Sequence, residues 1–489
     1  MATPPIDSTP QPLGQATTVR WRVFGLAFAT SGILYWHRYV FGFVKPTLAE
    51  QWKLTNTELG QLDSAFSLTY TLFQFPLGVA ADLVGVHLVL SGLVVLWCAG
   101  LSLLAIAPSS GWVWTAQATV GAGQSAVYAC LSRVARVWYP SSIRTTLQGL
   151  VGVLAGRLGA LSSSLVFSSL LLGWLGLSWR ASVGILAGIG FLHAAAFASL
   201  FRDSPRRHPG VNNAELAIIE GHEGAQSGDS GAGIAPSPAT PKATTTSRIA
   251  MARSWWRRLS WRSLANVSAL GVQTILSTFA DNIYASWLPL FLRQTHGMEF
   301  KEMGLYSALP LLGGAIAGIV GGQLNDRLIA RTGNRRRVRP GVAIVGKSLA
   351  AVILGVALCF YDQPYLFCGL LFFVKFFGDW SLTSTLGLIT DIGGRSTASL
   401  FAFNNTVAGI GLVAAPLVYG YLADAWGWRP VFLAVAVTYG LCAASWFLLD
   451  CTISLVNDED PPCELNSRVL TTDNTDNTDE DGSNADARG

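Results

Sequence analysis

One arginine, Arg38, stands near the middle of a long apolar stretch, "GLAFATSGILYWHRYVFGFV". An ionisable side chain at membrane depth costs enough to mark a functional site by default, and this one lies too deep to snorkel to water easily. A guanidinium stays charged and offers a planar fork of donors that fits carboxylate or phosphate. Arg38 therefore calls for an anion or a wet cavity, or else for a buried acid, for which the sequence offers Asp63 and Asp281. Its neighbour His37 titrates close to physiological pH when unperturbed. Tyr70 and Gln74 are about one helical turn apart and Gln117 and Gln124 about two, so each pair shares a face. Asn404 and Asn405 supply amides that both donate and accept, which suits hydroxyl groups. Asp281 is followed one turn later by Tyr284. Lys375 and Asp379 are spaced to neutralise each other on one face, as a structural pair first and an ion path second.

Only a membrane accommodates the elements that carry these residues. Of 489 residues, 51% are hydrophobic and 13% charged, with a mean hydropathy of +0.41, whereas a soluble domain carries roughly 25% charged residues. A membrane helix needs roughly 20 apolar residues. Such stretches recur near 23–44, 60–81, 88–107, 112–131, 147–171, 180–201, 266–291, 303–323, 341–360, 365–389, 399–421 and 428–449. The fold class expected is all-α integral membrane, with twelve transmembrane helices. Glycine-rich interiors such as "GLVGVLAGRLG" suit close packing between membrane helices.

Charge sets the expected orientation. Arg133, Arg136 and Arg144, a basic stretch before the seventh span, and the run from Arg327 to Arg339 fall in alternate connections. Basic loops stay cytoplasmic, so both termini are expected there. Residues 1–22 are polar and lack the pattern of a cleaved signal, and 451–489 are acidic and repetitive; both are expected to be disordered. Residues 202–264 read as a cytoplasmic linker. Within it "SRIAMARSWWRRLSWRSL" has the make-up of an amphipathic segment lying on anionic membrane lipid rather than of a nucleic-acid patch. The seven cysteines show no metal spacing. The "GAGQSA" run follows no strand, so it reads as a packing face and not a nucleotide loop. Neither an enzyme nor a cofactor or metal site is indicated.

The chain repeats itself. "GVAADLVG" closes the second span and "GGQLNDRL" the eighth, each with a glycine four residues before an aspartate. "IRTT" leads to "GLSWR" at Arg180 as "GRST" leads to "AWGWR" at Arg429. Two pseudo-symmetric six-helix bundles, 23–201 and 265–450, are the expected domains, with a substrate site between them near the midplane. With "YWHRYVFG", "SAFSLTYTLFQFPLGVAADLVG", "SRVARVWYPSSIRTTLQGL" and "FRDSPRRHPGVNNAELAIIE", the chain resembles the major facilitator superfamily. Within it, the similarity is to the anion:cation symporter family of hexuronate and galactonate permeases, from Trp21 to Leu449.

That resemblance implies a monomeric secondary transporter of a small organic anion such as a sugar acid, with a co-transported proton. It assigns Arg38 to the substrate carboxylate, and Tyr70, Gln74, Gln117, Gln124, Tyr284, Asn404 and Asn405 to the remainder of the substrate. Asp82, Arg136, Asp326 and Arg327 become gating residues, and Arg157, in "AGRLG", a packing or gating residue. The chain departs from the pattern where relatives often carry an arginine at Gln117, a glutamate at Gln124 and an aspartate at His37. Proton coupling would then pass to His37 or Asp281. The other readings are an anion exchanger or uniporter without proton coupling, and a transporter-like ligand sensor.

Overall fold

The structure, a computed structural model, describes residues 15–220, 260–453 and 455. Twelve long helical runs occur among them: α1 Val19–Trp52, α2 Asn56–Val84, α3 Val86–Ile106, α4 Ser110–Gln124 resuming as Val127–Trp138, α5 Ser141–Trp174 and α6 Trp179–Leu200. The second half has α7 Trp261–Asn282 continuing to His296, α8 Phe300–Thr332, α9 Arg335–Cys359, α10 Pro364–Gly393, α11 Thr397–Trp426 and α12 Trp428–Leu448. No strand is present among the described residues. Eight runs are long and apolar enough to cross a membrane: α3, α5, α6 and α8 to α12. The other four, α1, α2, α4 and α7, are the ones that hold Arg38, Asp63, Gln124 and Asp281.

Helix ends follow local chemistry. Thr55 and Glu58 form a capping box at the start of α2, and Ser178, Ser260 and Asn334 cap α6, α7 and α9. At Gly85, φ is 110°, and an added Cβ would stand 2.6 Å from Asp203 Oδ2, so the α2–α3 turn requires glycine on both counts. The first helix begins at Val19. Residues 202–220, expected as part of a linker, fold back on the first half: Glu215, fully buried in the helix Asn213–Glu220, accepts from the backbone nitrogens of Val19 at 3.1 Å and Arg20 at 2.9 Å. The remainder of the expected linker up to residue 259, with most of its basic segment, and the tail beyond 455 lie outside the described residues.

Helices α1 to α6 pack as one bundle and α7 to α12 as a second; α2 against α11, α5 against α8 and α1 against α7 join them. Every polar tie between bundles lies at midplane or toward one face. On that face Asp424 of α11 accepts from the backbone of Asn56 and Thr57, Arg293 pairs with Glu50 at 2.8 Å, and Ser168 and Ser169 donate to the carbonyls of Phe300 and Lys301. Small residues let the backbones meet there: a Cβ on Gly60 would come within 2.3 Å of the Pro416 carbonyl, and one on Gly304 within 2.5 Å of that of Ser164. The other face holds the start of α1 and the end of α12, together with Arg133, Arg136, Arg144, Arg206, Arg327 and Arg335. No hydrogen bond or ion pair joins the bundles on it among the described residues. The molecule is closed on the first face and open on the basic one.

Candidate functional site

Between the bundles lies a cavity of about 780 Å³, lined from the first half by Tyr35, Tyr39, Tyr70, Gln74, Tyr128 and Arg157 and from the second by Thr278, Leu382, Phe401 and Asn405. It descends past Ser132, Tyr139 and Gln148 toward the basic face.

Arg38 stands behind two of the cavity-lining residues, Tyr35 and Tyr70. Nε donates to Gln124 Oε1 at 3.0 Å, and the guanidinium carbon sits 5.2 Å from the Tyr35 ring, 5.3 Å from Phe66 and 4.7 Å from Tyr70, an aromatic box that favours a cation. Nη2 is buried with no hydrogen-bond partner. Neither candidate acid reaches it: Asp63 pairs with Lys45 at 2.8 Å and Asp281 with Lys375 at 2.9 Å. Gln124 also donates to the Leu34 carbonyl at 3.2 Å, fixing which end of its amide faces Arg38. It is the last residue of the first α4 segment, before the break at Ser125 and Ala126. Gly121 and Gly123 press α4 against α2 and α3, since a Cβ there would meet the Phe66 carbonyl at 2.2 Å and the Trp97 nitrogen at 2.6 Å.

A second charged cluster borders the cavity. Lys375 of α10 contacts Asp281 of α7 and, at 2.5 Å, Asp379, whose Oδ2 lies 2.6 Å from Arg157 Nη2 of α5. Tyr439 donates to Asp281 at 2.8 Å, and buried Lys347 of α9 donates to Ser277 at 2.9 Å with its ammonium 4.8 Å from the Tyr439 ring. Both helices are irregular at this point. α10 breaks at Asp379, and α7 runs as a π-helix over Ile283–Trp287, a distortion common at functional sites.

The chain belongs to the Major Facilitator Superfamily. Its sequence profile matches residues 27–354 and 328–462. The chain is 28% identical over 422 residues to the probable sulfoacetate transporter SauU of Cupriavidus necator (84% of this chain, 89% of that one), and 26% identical over 440 residues to the D-galactonate transporter of Escherichia coli (88% and 95%). Such relatives match the anion:cation symporter type that the motifs resemble. In fold it is similar to a bacterial homologue of the human lysosomal transporter Spinster, inward-facing and unoccupied, with a TM-score of 0.68 at 17% identity, covering 92% of this chain and all of that one. It is also similar to the nucleoside transporter NupG, with a TM-score of 0.63 at 13% identity, covering 88% and 99%. A facilitator-superfamily chain is a multi-pass membrane transporter, not an enzyme.

Set in this superfamily fold, the expected site residues divide. Tyr70, Gln74 and Asn405 line the cavity, while Arg38 stands behind Tyr35 and Tyr70 and Gln124 positions it. Gln117 is buried in α4 away from the cavity wall. Asn404 accepts from Thr274 at 2.6 Å, and Tyr284 is buried 3.5 Å from the Tyr439 hydroxyl, so both face neighbouring helices. His37, a coupling candidate by sequence, faces away from the cavity. Its Nδ1 accepts from the Trp97 indole at 3.1 Å, and its ring packs on Gly190 of α6, on the side of α1 away from the cavity. A proton on Nδ1 would break that bond, because an indole only donates.

The gating candidates lie toward the basic face. Asp82 pairs with Arg133 at 2.8 Å, within its own bundle, while Arg136 is exposed. Asp326 and Arg327 are exposed and form no ion pair among the described residues. Asn325 is the buried member, donating to Thr383 and Ser384 of α10 at 3.2 Å. Tyr35, Tyr39 and Tyr128 were not expected in the cavity. The signal for them was helical spacing, since Tyr35 lies three residues before Arg38 and Tyr128 four after Gln124.

Proposed function

We propose that the chain carries a small organic anion, a sugar acid or a related carboxylate or sulfonate, across the plasma membrane by alternating access. The observation that carries this reading is the placement of Arg38, a guanidinium set against the cavity-lining Tyr35 and Tyr70 with no carboxylate paired to it among the described residues. Leaving such a charge unpaired in a low-dielectric site is costly, and an incoming carboxylate relieves that cost. Tyr70, Gln74 and Asn405 would address the hydroxyl groups of the substrate. Relatives named for D-galactonate and sulfoacetate support the substrate class. The excess of arginine on the open face supports a cytoplasmic position for both chain ends, which makes this the inward-open state of a monomeric carrier.

Proton symport is the leading form, with Asp281 as the acid within reach of the cavity. A specific observation favours exchange or uniport as the second reading: the membrane-embedded acids Asp63, Asp281 and Asp379 are all already paired with lysine or arginine. Counterflow of labelled sulfoacetate and D-galactonate in proteoliposomes tests carriage itself. Uptake is expected in the native protein and its loss in Arg38→Ala; equal uptake by both removes the reading. An imposed pH gradient then divides the two forms, since only the symporter concentrates substrate against its gradient.

A further inference from the structure

The cluster beside the cavity is unbalanced. Lys347 and Lys375 already match Asp281 and Asp379 in charge, so Arg157 is the surplus cation. Its Nη2 meets Asp379 Oδ2 at 2.6 Å. Oδ1 of the same carboxylate is held by Lys375 at 2.5 Å. Asp379 therefore keeps a counter-ion if Arg157 leaves, and what Arg157 leaves behind is electrically neutral. The pair fits into a slot on α8 made by Gly314, where a Cβ would stand 2.6 Å from Asp379 Oδ2 and 2.7 Å from Arg157 Nη1. Arg157 also lines the cavity with Tyr35 and Tyr39, the α1 tyrosines that flank Arg38 in sequence.

We propose that Arg157 is a second anion-binding group and that the preferred substrate is a small dianion, one acidic group held by Arg38 and the other displacing Asp379 from Arg157. This rests on the anion-carrier reading and adds its specificity. Because Arg157 belongs to the first bundle and Asp379 to the second, the exchange also unties the bundles at mid-membrane, so that binding itself loosens the open state. The expected role of Arg157 in packing or gating thus merges with substrate contact.

The test uses two matched pairs, galactarate against D-galactonate and sulfoacetate against 2-hydroxyethanesulfonate; in each, the dianion has a carboxylate where the monoanion has a hydroxymethyl group. Calorimetric affinities are measured for the purified full-length protein, Arg157→Gln and Asp379→Asn. The native protein is expected to favour the dianion of at least one pair about tenfold. Arg157→Gln should bring that ratio to about one, and Asp379→Asn, which removes the competing carboxylate, should raise it several-fold. Asp379→Asn retains Arg157, so it decides the matter even if Arg157→Gln does not fold. A native protein that binds monoanions without preferring dianions, or a ratio that Asp379→Asn leaves unmoved, overturns this inference alone. Failure of all four probes to bind overturns the anion-carrier reading and this inference with it.

Discussion

Lys45 of α1, fully buried, donates to the Ser286 hydroxyl of α7 at 2.5 Å across the boundary between bundles. Ser286 in turn donates to Asp63 of α2, whose carboxylate also takes Lys45 at 2.8 Å. The charges cancel within the first bundle, and the serine fastens that neutral pair to the second. Ser286→Ala should therefore cut the tie without stranding a charge. A hydrogen bond to a charged group is worth about 1.5–3 kcal/mol, so the population open on the opposite face should rise by roughly tenfold or more. Distances between spin labels on the opposite-face ends of α2 and α11 report that population. An unchanged distribution would mean the tie is incidental to closure.

Gln124 holds Arg38 with a neutral amide. In Gln124→Glu the ionised carboxylate would lie at ion-pair distance from Arg38 and compete with the substrate, while the protonated form would not. Anion affinity of the variant should consequently fall as pH rises through the titration of the introduced acid. The slope should exceed that of the native protein over the same range, and parallel pH profiles would contradict the placement of Gln124 beside the anion site.

Glu215 caps the N-terminus of α1 through two backbone nitrogens and pairs with Arg20 at 3.4 Å. A carboxylate at that end satisfies orphan donors and opposes the positive end of the helix dipole. Glu215→Ala should lower the thermal midpoint, in keeping with a capping loss of about 1–2 kcal/mol. Ligand affinity at temperatures where the variant is folded should stay close to native, because the contact lies far from Arg38. A loss of affinity without a change in midpoint would place Glu215 in the transport cycle instead.

The sequence made some of this arrangement legible and hid the rest for physical reasons. The apolar stretches, the doubled organisation and the depth of Arg38 follow from hydropathy and local repeats. Tyr70 and Gln74 follow from helical spacing. Consecutive helical residues point about 100° apart, so the two neighbours of Arg38 part company, Tyr39 toward the cavity and His37 toward Trp97 of α3. At the second latch "GGQLNDRL" offers two polar candidates side by side, of which Asn325 is buried against α10 and Asp326 is exposed. Lys45 with Ser286 and Arg157 with Asp379 were out of reach, because each joins helices hundreds of residues apart. No local pattern encodes such a pairing.

Closure of the opposite face depends on backbone contact at Gly60, where a Cβ would penetrate to 2.3 Å from the Pro416 carbonyl of α11. That oxygen belongs to the helix backbone and cannot swing aside as a side chain could. Gly60→Val should hold α2 and α11 apart and trap the carrier open on that face. Binding and turnover then separate: the variant should still bind an anion, because Arg38 and its aromatic box remain, yet show at least a tenfold loss of counterflow. Cysteine-modification rates on the opposite face should rise in parallel. Normal counterflow in a folded Gly60→Val protein would show that the bundles need not meet at this seam, and alternating access would have to close elsewhere.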